Sequence, residues 1–152
     1  MAARKRVFDS PREWVREHIR TYVRTRGRKG HNWEGYPALL LTTVGRRSGK
    51  QRRTALIYGR DRKNFVVVAS YGGRPYHPQW YLNLAQNPDV ELQVGADRFS
   101  ARAHTVSGAQ REQLWKLMSS IFPPYDEYQV KATEAGRQIP VVILEPVSQG
   151  DV

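Results

Sequence analysis

The chain contains no cysteine. Thiol catalysis, disulfide staples and Cys-ligated zinc or iron–sulfur centres are therefore excluded. No apolar run approaches the roughly 20 residues of a membrane-spanning helix, and the Arg-rich start lacks the apolar core of a signal peptide, so a cytoplasmic protein is expected. Histidine is sparse: His18, His31, His77 and His104 show no metal-ligand spacing with one another. There is no nucleophile-elbow signature, no carboxylate pair suited to acid–base work and no Gly-x-Gly-x-x-Gly dinucleotide fingerprint. Acidic residues are also scarce, 14 against 25 Lys and Arg, for a formal net charge of +11. Such an excess calls for a polyanionic partner: nucleic acid, an acidic lipid surface or a multiply charged small molecule.

What is present is concentrated. The cations gather in the first 63 residues, and five of them, with two glycines, fall in nine consecutive positions, Gly45-Arg46-Arg47-Ser48-Gly49-Lys50-Gln51-Arg52-Arg53. Apolar Ala38–Val44 precedes this segment and Thr54–Tyr58 follows it, so it reads as the connection between neighbouring antiparallel strands. Like charges brought together there repel unless a ligand neutralises them. The glycines let backbone N–H groups turn towards a phosphate, and each arginine can grip it with two donors. The alternative is a solvated hairpin tip. A P-loop is excluded, because only three residues separate Gly45 from Gly49-Lys50 and the following segment is β-like rather than helical.

At 152 residues the chain is long enough for one domain that buries roughly 70% of its unfolded surface. Ser10-Pro11-Arg12-Glu13 reads as an N-cap, a first-turn proline and a capping-box glutamate. In the helix that follows, Trp14, Val15, Ile19, Tyr22 and Val23 form one stripe and Arg12, Arg16, Arg20 and Arg24 another. Such a helix either lies on anionic lipid or packs its stripe on a sheet. Strands are predicted near 37–44, 54–59, 65–70, 90–94, 98–105 and 140–144, and helices near 78–86 and 107–121. Short strands with few intervening helices favour an antiparallel sheet or small barrel, with a ligand on its outer face or in a groove between subunits.

Three more segments carry chemistry. Ser70-Tyr71-Gly72-Gly73 places a hydroxyl and two glycines where the buried run Phe65–Ala69 emerges from the core. Trp80 and Asn83 stand one helical turn apart, so a flat ring and an amide can meet one ligand; Tyr81 and Leu84 share the adjacent face. Tyr125 and Tyr128 repeat that spacing after Phe122-Pro123-Pro124. Each has a plainer reading as turn or core.

Taken in order, Gly45–Lys50 with Arg52–Leu56, Val68–Gly73, Pro78–Leu84 with Asn87-Pro88, Tyr125–Gln129 and Ile139–Val142 resemble the deazaflavin (coenzyme F420)-dependent nitroreductase and quinone reductase family of actinobacteria, over residues 36–146. The resemblance implies a mainly β fold with flanking helices, a split β-barrel of the FMN-binding flavin-reductase type. It divides the chain into a basic helix and linker at 1–35, a barrel domain at 36–147 and a tail at 148–152. It further implies that Arg46, Arg47, Ser48, Lys50, Arg52 and Arg53 hold the phosphate and oligoglutamate tail of F420. Thr54, Ala55, Leu56 and Ile57 would run beside the deazaflavin ring with Val68, Ala69, Ser70 and Tyr71, while Gln79, Trp80, Tyr81, Leu82 and Asn83 close its other side. Tyr128, Tyr125 and Ser70 are the implied catalytic groups, and the implied reaction is hydride transfer to a quinone, nitroaromatic or enone-type acceptor. A homodimer and peripheral contact with anionic membrane are further expectations. Ala55, where the family often has proline, and Tyr71, where it often has a basic residue, depart from the pattern. Rival readings are an FMN- or heme-binding protein on the same barrel and a basic nucleic-acid-binding module.

Overall fold

A single residue, Tyr58, separates β4 (Gln51–Ile57) from β5 (Gly59–Asp61), yet these strands belong near opposite ends of the same sheet. The computed structural model describes residues 6–147; the expected tail at 148–152 lies outside them. The other strands are β1 (Val7–Asp9), β2 (Asn32–Trp33), β3 (Tyr36–Val44), β6 (Asn64–Val68), β7 (Asp89–Val94), β8 (Asp97–Thr105) and β9 (Val141–Pro146). They run in the order β1-β4-β3-β7-β8-β9-β6-β5, with β2 paired to β3. All pairings are antiparallel except β1 with β4. Because one residue cannot span a flat sheet of this width, the sheet must roll until β4 and β6 approach each other. They touch without forming a ladder, so the roll is an open, split β-barrel.

Strand alternation sorts the side chains. Leu39, Leu41, Phe65, Val67, Leu92, Val142 and Leu144 fill the barrel interior. The intervening Val66, Val68, Val141 and Ile143 face α3 (Gly108–Ile121) and α4 (Pro124–Glu134), which contribute Leu114, Met118, Tyr125 and Ala132. A third cluster joins Leu40 of β3 to Val15, Ile19 and Tyr22 of α1 (Glu13–Arg24). The stripe on α1 is thus spent on packing, and of its members Trp14 remains exposed, stacked 6.0 Å from Trp33. No helix of the described residues is long and apolar enough to cross a membrane.

Most predicted strands and helices correspond to observed ones within a few residues, but the strand expected over 54–59 breaks at Tyr58, where β4 gives way to β5, and two further differences lie at the N-terminus. Ser10 is not the N-cap: its N–H bonds to the Arg53 carbonyl at 2.9 Å and prolongs β1, so Pro11 sits in the turn and the helix starts at Glu13. Residues 6–35 are not a separate helix and linker either, since β1 joins the sheet through Val7–Gln51 and Asp9–Arg53 pairing and α1 supplies core. The α1 side is secured by the buried Tyr22 hydroxyl, which accepts from the Gly95 N–H at 2.7 Å and donates to the Ala38 carbonyl at 3.0 Å. Nearby, Gly27 has φ +79°, and a Cβ there would fall 2.4 Å from Gly95 Cα, so only glycine lets the end of α1 meet the β7–β8 turn. Tyr22→Phe is expected to cost about 1 kcal/mol by leaving the part-buried Gly95 N–H without its acceptor. A urea midpoint equal to the wild type's would show that this hydroxyl does not hold α1 to the sheet.

Candidate functional site

Where the barrel fails to close, the surface opens into a cleft of about 640 Å³, within the usual range for small-molecule sites. Its floor comes from the two strands flanking the split: Thr54, Ala55 and Leu56 of β4, and Val68 at the end of β6 with Ser70 beyond it. The 3₁₀ turn Tyr71–Gly73 borders it with the Tyr71 ring. Gln79, Trp80 and Asn83 of α2 (Gln79–Gln86), which begins after Pro78, form one side. Gly45, Arg46, Arg47 and Ser48 form the mouth, joined there by Arg52 and Arg53.

The basic loop is a closed hairpin tip. Gly45 N–H donates to the Lys50 carbonyl and Gly49 N–H, at φ +70°, to the Gly45 carbonyl, both at 2.8 Å. Asn83, 5% exposed, fixes the loop from α2: its Oδ1 accepts from the Arg46 N–H at 3.2 Å and the Arg46 Nη1 at 2.9 Å. Its Nδ2 donates to the Thr43 hydroxyl at 3.3 Å. Among the described residues, the Arg47 and Ser48 amides have no protein acceptor. Two exposed N–H groups beside two guanidiniums can receive an anion.

Not every cation is equally free. Arg53 makes a paired contact with Asp9, Nε to Oδ1 at 2.6 Å and Nη2 to Oδ2 at 3.3 Å, both residues partly buried. Lys50 and Arg52 lie over the Phe8 ring, 5.0 and 5.5 Å from its centroid, with Arg6 at 4.7 Å. Arg46 and Arg47 are the loop's best-placed anion donors.

Of the residues singled out in the sequence, Arg46, Arg47, Ser48, Arg52, Arg53, Thr54, Ala55, Leu56, Val68, Ser70, Tyr71, Gln79, Trp80 and Asn83 line this one cleft. Lys50, Ile57, Ala69, Tyr81, Leu82, Tyr125 and Tyr128 do not. Ala69 is fully buried. Tyr81 turns to His77, with rings 5.0 Å apart, and its hydroxyl meets Thr105 at 3.0 Å. Tyr125 sits edge-on to Phe122 in the α3–α4 cluster, and burial pushes its phenol well above the ordinary range. Tyr128 packs on that same cluster behind the 3₁₀ turn, because Pro123-Pro124 start α4 on the outer face of the sheet.

One wall was missed by sequence reasoning: Phe8, Asp9, Ser10, Pro11, Arg12, Trp14 and Val15 also border the cleft. Arg12 lies 5.3 Å from the Tyr71 ring centroid, and Arg74 lies 4.3 Å from it. The available signal was the short Val7-Phe8 pair before Asp9 and Pro11, which reads as a strand only once β4 is there to pair with it.

These features define a class: a split-barrel protein with a cationic mouth and a flat, largely apolar interior, suited to an anionic ligand bearing a ring. The family model for F420H(2)-dependent quinone reductase matches residues 14–146, taking in α1, which the motif resemblance had left out. An F420H(2)-dependent quinone reductase of Mycobacterium tuberculosis (strain H37Rv) is 40% identical over 134 residues, covering 86% of this chain and 88% of that protein. The solved structure of an F420-H2 dependent reductase, FDR-A, is 42% identical with a TM-score of 0.65, covering 72% of this chain and 94% of that one. Another solved chain, a domain-swapped dimer, is 38% identical with a TM-score of 0.68, covering 90% and 100%. The chain belongs to the F420H(2)-dependent quinone reductase family.

Beside the cleft, His77 Nδ1 accepts from Arg137 Nε at 2.9 Å, and burial, then the guanidinium's charge, lowers the His77 pKa below its ordinary 6.5. Folding therefore favours the neutral ring; this contribution is complete above the unfolded value and is lost as pH falls through the lower folded one. Stability is expected to decline below about pH 6.5, with a shallower decline in His77→Gln. Equal slopes in urea titrations of the two proteins between neutral and mildly acidic pH would remove His77 as the cause.

Proposed function

We propose that this protein is an F420H2-dependent reductase that passes a hydride from reduced coenzyme F420 to a quinone, with nitroaromatics and enone-type lactones as the wider acceptor class. The observation that carries the reading is the pairing, in one cleft, of a guanidinium-and-amide mouth with an apolar floor at the barrel's split. When bound, the reduced deazaflavin supplies the hydride from its C5 position. Arg46 and Arg47, with the free amides of Arg47 and Ser48, would hold its phosphate and acidic tail. Thr54, Ala55 and Leu56 would support one face of the ring, and Trp80 would exclude water at its side. The Ser70 hydroxyl is the cleft's candidate donor to an acceptor oxygen that becomes negative as hydride arrives. A second copy of the chain as partner rests on likeness to the domain-swapped dimer.

Fluorescence titration with F420, using FMN as control, tests the cofactor. Selective binding of F420 is expected; saturation by FMN alone would keep the barrel and overturn the cofactor. The double substitution Arg46→Ala, Arg47→Ala should raise the F420 Kd about tenfold or more at low salt, with a smaller ratio at high salt, because exposed charges are screened. An unchanged Kd at low salt would refute the tail clamp. For acceptor reduction, Ser70→Ala should lower kcat about tenfold while shifting the F420 Kd less than about twofold. Tyr128→Phe, whose ring packs away from the cleft, should change kcat less than about threefold. The reverse order of the two effects in steady-state kinetics would exchange their roles.

A further inference from the structure

The turn that carries Ser70 and Tyr71 does not hold itself up. Tyr71, Gly72 and Gly73 take φ values of 49°, 65° and 77° in succession, all left-handed, a conformation that is unfavourable for tyrosine. Its own hydrogen bonds are two: Gly73 N–H to the Ser70 carbonyl at 2.9 Å and Arg74 N–H to the Tyr71 carbonyl at 3.3 Å. The shape is maintained from outside, by the segment that follows α4.

Arg137, 7% exposed, reaches across from that segment and gives its donors to the turn. Nη1 donates to the Ser70 carbonyl at 3.1 Å and the Arg74 carbonyl at 2.6 Å, Nη2 to the Ala69 carbonyl, and Nε to His77 Nδ1. Among the described residues no carboxylate pairs with it, so three carbonyl dipoles and the His77 ring nitrogen offset the cost of burying the charge. A planar fork with five donors suits four acceptors spread over residues 69–77, which a lysine ammonium cannot all reach. The anchor itself is fixed: Arg137 N–H donates to the Ala132 carbonyl at 2.9 Å, and Gln129 Nε2 donates to the Arg137 carbonyl at 3.1 Å. Gly73 meets α4 so closely that a Cβ would lie 2.5 Å from the Tyr128 carbonyl oxygen.

We propose that Arg137 is the positioning residue for the acceptor side of the cleft, its guanidinium setting the turn that presents the Ser70 hydroxyl and the Tyr71 ring. This rests on the reading of Ser70 given above. Arg137 does not line the cleft; it acts through the backbone of residues 69–74. The buried charge is kept at this place because a turn of this conformation, at the rim of the split, has no strand partner to define it.

The test combines amide hydrogen exchange on the cofactor-free protein with kinetics, for Arg137→Met and Arg137→Lys, with Ser70→Ala alongside. In Arg137→Met the Gly73 and Arg74 amides should exchange about tenfold faster or more, while those of Leu40 and Leu41 in β3 change less than about threefold. With F420H2 and menadione, kcat should fall about tenfold in Arg137→Met and less in Arg137→Lys, and the F420 Kd should shift less than about threefold, because the basic loop is untouched. Unchanged exchange at Gly73 and Arg74 in both variants would overturn the anchor. Acceleration spread evenly into β3 would make Arg137 a general stabilising residue and overturn the positioning role. So would an unchanged kcat in both Arg137 variants when Ser70→Ala has lowered it. If wild-type protein oxidises no F420H2, the reading of the cleft falls, and the exchange pattern still decides whether Arg137 sets the turn.

Discussion

The one-residue link at Tyr58 is the constraint on which the other features depend. A chain that leaves β4 and enters β5 after a single residue cannot build a flat sheet in the observed strand order. It must curl, and curling sets β4 against β6 without a ladder between them. The Tyr58 backbone N–H, donated to the Pro37 carbonyl at 3.1 Å, and its hydroxyl, 2.7 Å from His31 Nε2, fix the link in place. The cleft follows from that failure to close. Its floor residues come from strands far apart in the sheet order.

The second organising principle is the management of excess positive charge. A mouth built from adjacent guanidiniums is costly in the unliganded protein, and different neighbours relieve different cations. Asp9 neutralises Arg53, the Phe8 ring accepts Lys50 and Arg52, and Asn83 orients Arg46 through a neutral carbonyl that leaves its charge intact. Lys50 and Arg52 keep their charge over the ring, and Arg46 and Arg47 carry theirs at the loop's rim. An amide serves Arg46 where a carboxylate would have cancelled the attraction.

Much of this was legible in the sequence because local rules and the fold agree. The unbroken apolar run Leu39-Leu40-Leu41 marks a strand buried on both faces, Pro78 marks the start of α2, and Gly45 and Gly49 mark the hairpin that carries the arginines. What was not legible depends on distant partners. β1 is three residues long and becomes a strand only beside β4, so Ser10 looked like a helix cap. Tyr81 and Tyr125 have the composition of ligand contacts, but their direction is set by His77 and Phe122. Arg137 gave no signal, since a lone arginine before a strand is ordinarily a surface residue and the four acceptors that bury it lie some sixty residues earlier.

The wall formed by Phe8 to Arg12 bears on how the protein is handled. The family match begins at Trp14, and a fragment trimmed to that boundary would look complete by similarity alone. It would lack Asp9, leaving Arg53 as an unpaired, half-buried cation in the cleft, and it would lack the ring under Lys50 and Arg52. A bulky fusion partner joined close to Val7 would press on the same wall. Placing purification tags at the other end of the chain, or behind a generous spacer, keeps the cleft as the native sequence builds it.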